Sequence, residues 1–497
     1  MTINRRDFLK FAATSLSGLT LPLTFSCRDN KSPPNILFIC VDDLRPELGC
    51  YGKEYIKTPH LDSLAREGIV FSRHFIQAPT CGPSRYSLLT GLRPRSEAEL
   101  NNAFMENNFY KRPETKTPET FAHHFKRNGY YTVGIGKISH TPDGRIRKDN
   151  STLELPYSWD EMLCEKGPWG GGFDTFFAYA SGESRASLNF QVPPLECADV
   201  PDEGYPDGLN ANLAVRKLRE LSNIEKPFLL SVGFYKPHLP FNSPKKYWDL
   251  YNREAISLSP NPDVPKNTSL SLLHDSSEFF GNYRNGKEYG GRGKKLSEAY
   301  AREIRHAYFA AVSYVDAQIG KVLASLKDLG LDQNTIVVVW GDHGWHLGDH
   351  TIWGKHSPFE RSTHSPLIMK IPGMKWTGDS TDALVETIDL YPTLCELTGI
   401  TPPPGLDGGS LVKILESPVT VGKEAVYSYQ KNRISMRTDR YRLIAHHEGN
   451  SWTFALFDHQ TDPYETRNIA EDYKEIVEQL LPLLNKGNTG MIPKHIQ

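Results

Sequence analysis

The chain has 497 residues with ordinary fractions of apolar and charged residues, and its formal net charge is −2. This length allows more than one domain and a large buried core. A charge so close to zero, with no polybasic patch, gives no electrostatic reason to expect a nucleic acid partner. Seven cysteines are too few for a dense disulfide framework. Cys164 and Cys197 are the candidate pair if the compartment is oxidising.

The first 26 residues predict an export signal. Residues 4–10, Asn-Arg-Arg-Asp-Phe-Leu-Lys, form a twin-arginine pattern, and residues 11–25 are apolar or small but too few for a stable membrane anchor. Residues 23–27 resemble a bacterial lipobox, which would make Cys27 a lipid-bearing mature N-terminus. The alternative is ordinary cleavage nearby with Cys27 unmodified. We expect an exported protein, in the periplasm or held as a lipoprotein at the outer membrane or cell surface.

From residue 35 onward, short apolar runs alternate with helical patterns. The runs are typical of parallel strands buried on both faces, and they cover residues 36–41, 130–135, 228–234, 335–340 and 366–371. The helical patterns cover residues 58–68, 117–128, 209–221, 298–329 and 387–397. This alternation predicts an α/β fold with a large, mostly parallel sheet flanked by helices.

The segment 79–91, Pro-Thr-Cys-Gly-Pro-Ser-Arg-Tyr-Ser-Leu-Leu-Thr-Gly, predicts a helix that begins at Cys81. Proline two residues later suits a first helical turn, and the unpaired N–H groups at a helix start favour a bound anion or a thiolate. Arg85 lies one turn along and would share the charge. The alternative is a buried cysteine that starts a core helix.

Polar, chargeable side chains follow four of the predicted strands. They are Asp42 with Asp43, Lys137 with His140, His238, and Asp342 with His343. Each has an ordinary alternative, such as a solvated turn, a surface loop or a structural histidine. Because ligands of α/β folds bind outside the carboxyl ends of the strands, we expect the four ends to meet at one crevice. Adjacent carboxylates there favour a divalent metal ion.

The remaining intervals are less regular. Residues 95–115, 141–205 and 260–296 show little periodicity, and we interpret them as long surface loops that carry substrate specificity. Beyond residue 416 the pattern changes to short strands followed by a closing helix near residues 473–484. We therefore divide the chain into a signal peptide (1–26), a catalytic domain (27–415) and a smaller C-terminal subdomain of antiparallel sheet plus helix (416–497).

Several of these motifs resemble the formylglycine-dependent type I sulfatases of the alkaline-phosphatase-like superfamily, and within it the iduronate 2-sulfatase subgroup. The matching residues are Cys81, Pro83, Ser84, Arg85, Thr90 and Gly91, the segments 42–46, 48–52, 136–140, 236–241 and 342–348, Trp353 with Lys355, and 363–368. The resemblance implies that Cys81 is converted to formylglycine (3-oxoalanine) by a maturation enzyme. It also implies one calcium ion held by Asp42, Asp43, Asp342, His343 and residue 81.

The same resemblance implies a role for each remaining site residue. A hydroxyl of hydrated formylglycine 81 would attack sulfur, helped by Arg85, while Lys137, Lys355 and His238 neutralise the sulfate oxygens. Either His238 or Lys355 would protonate the leaving oxygen. His140 would assist the release of sulfate. His343 departs from most sulfatases, which have Asn there, and its nitrogen leaves the identity of the metal open.

The implied activity is hydrolysis of sulfate esters of a sulfated carbohydrate, such as a 2-O-sulfated uronate or an algal glycan. A phosphomonoester or phosphonate hydrolase of the same superfamily is the first alternative. A non-enzymatic glycan-binding lipoprotein is the second, and it predicts the loss of groups such as Cys81, Arg85, Asp342 or Lys355, all of which are present.

Overall fold

The computed structural model describes residues 33–111, 118–146 and 151–493. The predicted signal peptide and Cys27 lie outside these residues. The strands are β1 (Asn35–Val41), β2 (Ile69–Phe71), β3 (His74–Phe75), β4 (Tyr131–Gly136), β5 (Glu161–Leu163), β6 (Leu195–Ala198), β7 (Phe228–Phe234), β8 (Phe241–Pro244), β9 (Thr335–Gly341), β10 (His346–Leu347), β11 (Trp353–Gly354), β12 (Leu367–Lys370), β13 (Asp379–Thr381), β14 (Val385–Glu386), β15 (Ala425–Gln430), β16 (Arg433–Thr438), β17 (Tyr441–Glu448) and β18 (Ser451–Asp458).

Helices connect most of these strands. They are α1 (Pro59–Arg66), α2 (Cys81–Thr90), α3 (Phe104–Asn108), α4 (Phe121–Arg127), α5 (Phe173–Phe176), α6 (Pro206–Leu221), α7 (Lys245–Trp248), α8 (Ser277–Gly281), α9 (Glu298–Asp328), α10 (Glu360–Thr363), α11 (Leu390–Thr398), α12 (Val412–Glu416) and α13 (Lys474–Gly487). Among the described residues, none of the helices combines the length and apolar character needed to cross a bilayer.

An eight-stranded sheet in the order β13-β2-β12-β9-β1-β7-β4-β5 forms the centre of the fold. Strands β9, β1, β7, β4 and β5 run parallel, whereas β12 runs antiparallel to β9 and β2. Leu37 and Ile39 of β1 face one buried core, to which α6 and α9 contribute; Ile36 and Phe38 face the other, to which α2, α4 and α11 contribute. The predicted α/β fold with a mostly parallel sheet is confirmed.

The intervals predicted as loops contain short regular elements. β5 extends the edge of the central sheet beside β4, and β6 pairs with β8. α3 lies in residues 95–115, α5 in 141–205 and α8 in 260–296. These short elements were not predicted, because single apolar side chains such as Met162 and Phe176 are buried there without a run long enough to show a period. Cys164 and Cys197 are both free, so they do not form the candidate disulfide.

A four-stranded antiparallel sheet, β15-β16-β17-β18, follows the main fold and is covered by α13. The C-terminal antiparallel sheet and its helix are therefore confirmed, while the boundary at residue 416 stays a prediction. The sheet is joined to α10 by a buried arginine: Arg442 binds Glu360, and its Nε lies 2.5 Å from Glu465 Oε1. Ser435 Oγ donates to the Pro358 carbonyl at 2.8 Å.

Candidate active site

The carboxyl ends of four parallel strands lie side by side at one edge of the central sheet. Val41, the last residue of β1, is paired with Phe234 of β7 and Gly341 of β9, and Gly136 of β4 is paired with Gly233 of β7. Because these registers align the strand ends, the side chains that follow each strand start from one edge. The structure thus brings together the four sets of chargeable residues that the sequence places after these strands.

Helix α2 begins at Cys81, as the sequence predicts, and all of its residues are buried. It ends at Gly91, whose φ of 68° lies in the left-handed region that favours glycine. Cys81 Sγ lies 3.3 Å from His343 Nε2, 3.4 Å from Asp42 Oδ1 and 3.4 Å from Lys355 Nζ. Burial, and after it Asp42, raises the pKa of this thiol to about 12. Burial therefore opposes the thiolate that a helix start favours, and an unmodified Cys81 would be a poor nucleophile.

Three carboxylates and three cations alternate around Cys81. Lys137 Nζ contacts Asp42 Oδ2, Arg85 Nε donates to Asp342 Oδ2 at 3.0 Å, and Lys355 Nζ donates to Asp43 Oδ1 at 2.9 Å. Burial opposes ionisation of both adjacent aspartates. Lys137 and then His238 outweigh it and hold the pKa of Asp42 well below its usual range, whereas burial outweighs Lys355 and raises the pKa of Asp43 well above it.

The hydrogen bonding of His343 shows that this cluster fits a metal ion. Its Nδ1 lies 2.9 Å from the Gly344 carbonyl oxygen, which assigns the proton of a neutral ring to that nitrogen. The lone pair of Nε2 then faces Asp43 Oδ1 at 3.3 Å and Asp342 Oδ1 at 3.5 Å. A lone pair that faces carboxylate oxygens is repelled unless a cation lies between them.

The ligand atoms of this cluster are close enough to share one ion. One atom each from Asp42, Cys81, Asp342 and His343 lies within 4.8 Å of the others. A second set, Asp42, Asp43, Cys81 and His238, meets the same limit. All of these side chains are buried, so a metal ion would replace the water that they have lost.

His238 lies near Oδ2 of Asp43, whereas His343 lies near Oδ1 of the same carboxylate. Its Nδ1 is 2.7 Å from the Leu239 carbonyl, and its Nε2 is 3.2 Å from Glu278 Oε1 and 3.7 Å from Asp43 Oδ2. Burial, and after it Lys355, lowers the pKa of His238 to about 4. A neutral imidazole between two carboxylates can take up a proton or hydrogen-bond an incoming group.

A cavity of about 660 Å³ opens onto these residues. The predicted site residues that line it are Cys81, Lys137, His140, His238 and Lys355. His140 packs against Phe173, with 5.7 Å between ring centroids, and its buried Nδ1 has no hydrogen-bond partner in the described part of the chain. A larger cavity of about 860 Å³ near α1 and α9 contains none of these groups.

The irregular intervals supply the rest of the cavity wall. Asn102 comes from residues 95–115, Phe177 and Arg185 from 141–205, and Glu278 from 260–296. Glu278 and Arg185 were not predicted from the sequence, because neither belongs to a motif or a periodic run. Residues 277–281 are Ser-Glu-Phe-Phe-Gly, and a charged residue beside two aromatic residues is the one weak indication of Glu278 in the sequence.

Comparison with known proteins identifies the family. The family model "Sulfatase" matches residues 34–400. The chain belongs to the sulfatase family. It is therefore an enzyme of the sulfuric ester hydrolase class. A second family model, "N-sulphoglucosamine sulphohydrolase, C-terminal", matches residues 348–489.

Individual sulfatase relatives agree with this assignment. Mouse iduronate 2-sulfatase is 35% identical over 399 residues, which cover 74% of this chain and 69% of that protein. A sulfatase of Formosa agariphila is 32% identical over 479 residues, covering 92% of this chain and 87% of that protein. The phosphonate monoester hydrolase of Agrobacterium radiobacter shares the fold, with a TM-score of 0.70 at 24% identity over 90% of this chain and 95% of that chain.

Proposed function

We propose that this sulfatase hydrolyses sulfate esters of a sulfated polysaccharide or oligosaccharide, with residue 81 as the formylglycine nucleophile. The observation that carries the proposal is the set of contacts around Cys81. Its Sγ lies within 3.4 Å of the Asp42 carboxylate, the His343 imidazole and the Lys355 ammonium group. Burial raises the pKa of the Cys81 thiol, and a neutral thiol would not compensate for the free-energy cost of burying so many charges around it.

The carboxylates of Asp42, Asp43 and Asp342, with His343 and an oxygen of formylglycine 81, would hold one calcium ion. Three carboxylates suit calcium, which prefers oxygen ligands, while His343 is compatible with other divalent ions too. Bound calcium would supply positive charge that lowers the pKa of a hydroxyl at residue 81 and offsets the charge of the sulfate group.

Hydrated formylglycine would supply a hydroxyl for attack on sulfur. Arg85, whose Nε binds Asp342, would keep positive charge beside that hydroxyl. Lys137 and Lys355 would bind the sulfate oxygens, because both ammonium groups line the cavity beside residue 81. Either His238 or Lys355 would donate the proton to the leaving sugar oxygen.

His140 would hold the second hydroxyl of residue 81. Its unpartnered Nδ1 and its position on the cavity wall support this role, because a free ring nitrogen can accept the proton that must leave that hydroxyl when the aldehyde is restored.

The substrate proposal is a sulfated carbohydrate, with a 2-O-sulfated uronate or an algal glycan as the specific candidates. The relative named iduronate 2-sulfatase supports the uronate. Export to the periplasm or cell surface, a lipid anchor on Cys27, and a separate maturation enzyme for Cys81 belong to the same proposal and rest on the sequence motifs alone.

Intact-mass analysis of the peptide that contains residue 81 tests the proposal directly. We expect the active protein to lack the cysteine sulfur and to carry an aldehyde there. Cys81→Ala and Cys81→Ser should hydrolyse no aryl sulfate, whereas Cys395→Ala, which changes another buried cysteine, should keep parental activity. Near-parental turnover by either Cys81 variant would contradict the mechanism. Faster hydrolysis of an aryl phosphate than of the matching aryl sulfate would favour the phosphate-ester alternative.

A further inference from the structure

Arg185 is a buried cation in the wall of the active-site cavity. Its residue exposure is 8%. Three aromatic rings surround the guanidinium, whose carbon lies 3.4 Å from the ring centre of Phe177, 5.1 Å from that of Tyr283 and 5.4 Å from that of Phe190. Arginine is the cation that aromatic faces accommodate best, because its planar group is weakly hydrated and stacks.

The loop that carries Arg185 also fixes its position. The Arg185 N–H donates to the Phe177 carbonyl at 3.0 Å, and the Phe190 N–H donates to the Arg185 carbonyl at 2.9 Å. Phe190 has a φ of 61°, a left-handed conformation that is unfavourable for a bulky side chain. The backbone is therefore locally strained at Phe190, the residue that places the third aromatic ring against the guanidinium.

This buried charge has no carboxylate partner within residues 33–111, 118–146 and 151–493. In these residues its side chain donates a hydrogen bond from Nη1 to the Tyr283 hydroxyl oxygen, at 3.1 Å. Guanidinium carries five N–H donors in a planar fork. Burying a cation without an anion is costly, and cation–π contacts return only part of that cost. The remaining donors are thus available to an anion in the cavity.

The place of Arg185 relative to the reaction centre suits a second contact on the same substrate. The Phe177 ring lies 3.4 Å from the guanidinium carbon of Arg185 and 5.9 Å from the His238 ring. Phe177 thus contacts both the guanidinium and one of the two proposed proton donors to the leaving sugar oxygen. A sugar bound with its sulfate at residue 81 would occupy the same cavity that Arg185 lines.

We propose that Arg185 is a specificity residue that binds a second oxyanion on the sulfated sugar, namely a uronate carboxylate or a second sulfate group. The planar fork matches either group with two parallel hydrogen bonds. The inference rests on the proposed sulfatase function and adds a requirement to it: the preferred substrate carries two anionic groups, of which only one is hydrolysed at this site.

Three sugar probes and one aryl ester test this requirement. The probes are a 2-O-sulfated uronate disaccharide, its carboxyl-reduced form, and the carboxyl-reduced form sulfated on the new hydroxyl; 4-nitrophenyl sulfate lacks a second anion. Arg185→Gln should lower kcat/KM about 10- to 100-fold on the probe whose second anion is recognised, with little change on the reduced probe or 4-nitrophenyl sulfate. The doubly charged probe on which the parent enzyme has the higher kcat/KM shows whether Arg185 recognises a carboxylate or a second sulfate.

Arg284→Gln is the matched control, because Arg284 also lies over Phe190, at 5.8 Å, but is exposed and outside the cavity wall. Parental kinetics are expected for it on every probe. An equal loss on all probes in Arg185→Gln would overturn the specificity role and leave a packing role.

A binding measurement separates this inference from the proposed function. Titration of each sugar probe into Cys81→Ala protein, with and without Arg185→Gln, needs no turnover. If the parent enzyme hydrolyses no sulfate ester, the proposed function fails. Even then, a larger dissociation constant in the Arg185→Gln protein, seen with the doubly charged probes alone, supports anion binding by Arg185. Equal dissociation constants in the two proteins would overturn it, even if the parent is an active sulfatase.

Discussion

Glu278 joins His238 to Lys355 through the two oxygens of one carboxylate. Oε1 lies 3.2 Å from His238 Nε2, and Oε2 lies 3.5 Å from Lys355 Nζ. These are the two residues between which the choice of proton donor is open. The residue comes from α8, in an interval that has no counterpart among the predicted elements, so an insertion reaches the centre of the site.

Glu278→Gln should lower kcat on an aryl sulfate about 10- to 100-fold, because a hydrogen bond to a charged group contributes about 1.5–3 kcal/mol. The His238 imidazole and the Lys355 ammonium group would both lose the carboxylate that holds them, and their positions near residue 81 would become less well defined. Steady-state kinetics and the thermal midpoint should be measured together. Asp263→Asn is a suitable control, since Asp263 is an exposed carboxylate of the same interval that pairs with Lys295. Unchanged kcat in Glu278→Gln would show that the carboxylate has no part in the reaction.

Removal of a bound metal should destabilise the protein as well as inactivate it. Without the ion, three buried carboxylates would face each other and the lone pair of His343. A ligand present at 100 times its dissociation constant stabilises the folded protein by about 2.7 kcal/mol, and this stabilisation would be lost. We expect a chelator to lower the thermal midpoint and calcium to restore it together with activity. Titration with magnesium, manganese and zinc would rank the ions. If the chelated and calcium-loaded proteins have equal midpoints and equal activity, the cluster holds no ion.

Arg442→Met should lower the free energy of unfolding by about 3–5 kcal/mol, because it removes the buried cation that contacts both Glu360 and Glu465. Denaturant unfolding measures this loss. Arg467→Met, in the same C-terminal region, removes an arginine that is paired with Asp472 at the surface, and should change the unfolding midpoint little. Similar losses in the two variants would mean that burial of Arg442 is not what joins the C-terminal sheet to α10.

Stability should fall as pH falls below about 6.5, partly through His74. Burial lowers the pKa of His74 to about 3 in the folded protein, against 6.5 for a histidine in the unfolded chain. Between these values the unfolded chain binds a proton that the folded chain does not, so the stabilisation is complete above pH 6.5 and is lost on acidification. His74→Gln should reduce the slope of unfolding free energy against pH, near pH 5, by about 1.4 kcal/mol per pH unit. A slope equal to that of the parent, with calcium held constant, would contradict this account.

The sequence predicted the central sheet and the grouping of Asp42, Asp43, Asp342 and His343, because buried strands have a recognisable apolar run and the carboxyl ends of parallel strands share an edge. Arg185 and Glu278 were not predicted. Their positions depend on how irregular segments fold back over the sheet, and such segments carry no period that would fix a direction. The motif around Cys81 predicted the helix start correctly, but the raised pKa of the thiol follows from burial that a local motif does not contain.

Cys81 and His343 touch across 262 positions of sequence. A ribosome adding about 5–20 residues per second needs on the order of ten to fifty seconds to make that stretch. During this interval the residue-81 segment lacks the later contacts with His343 and Lys355. In the folded chain Cys81 is buried. Under the conversion of Cys81 proposed above, a maturation enzyme would therefore have better access to this segment before the chain folds than afterwards.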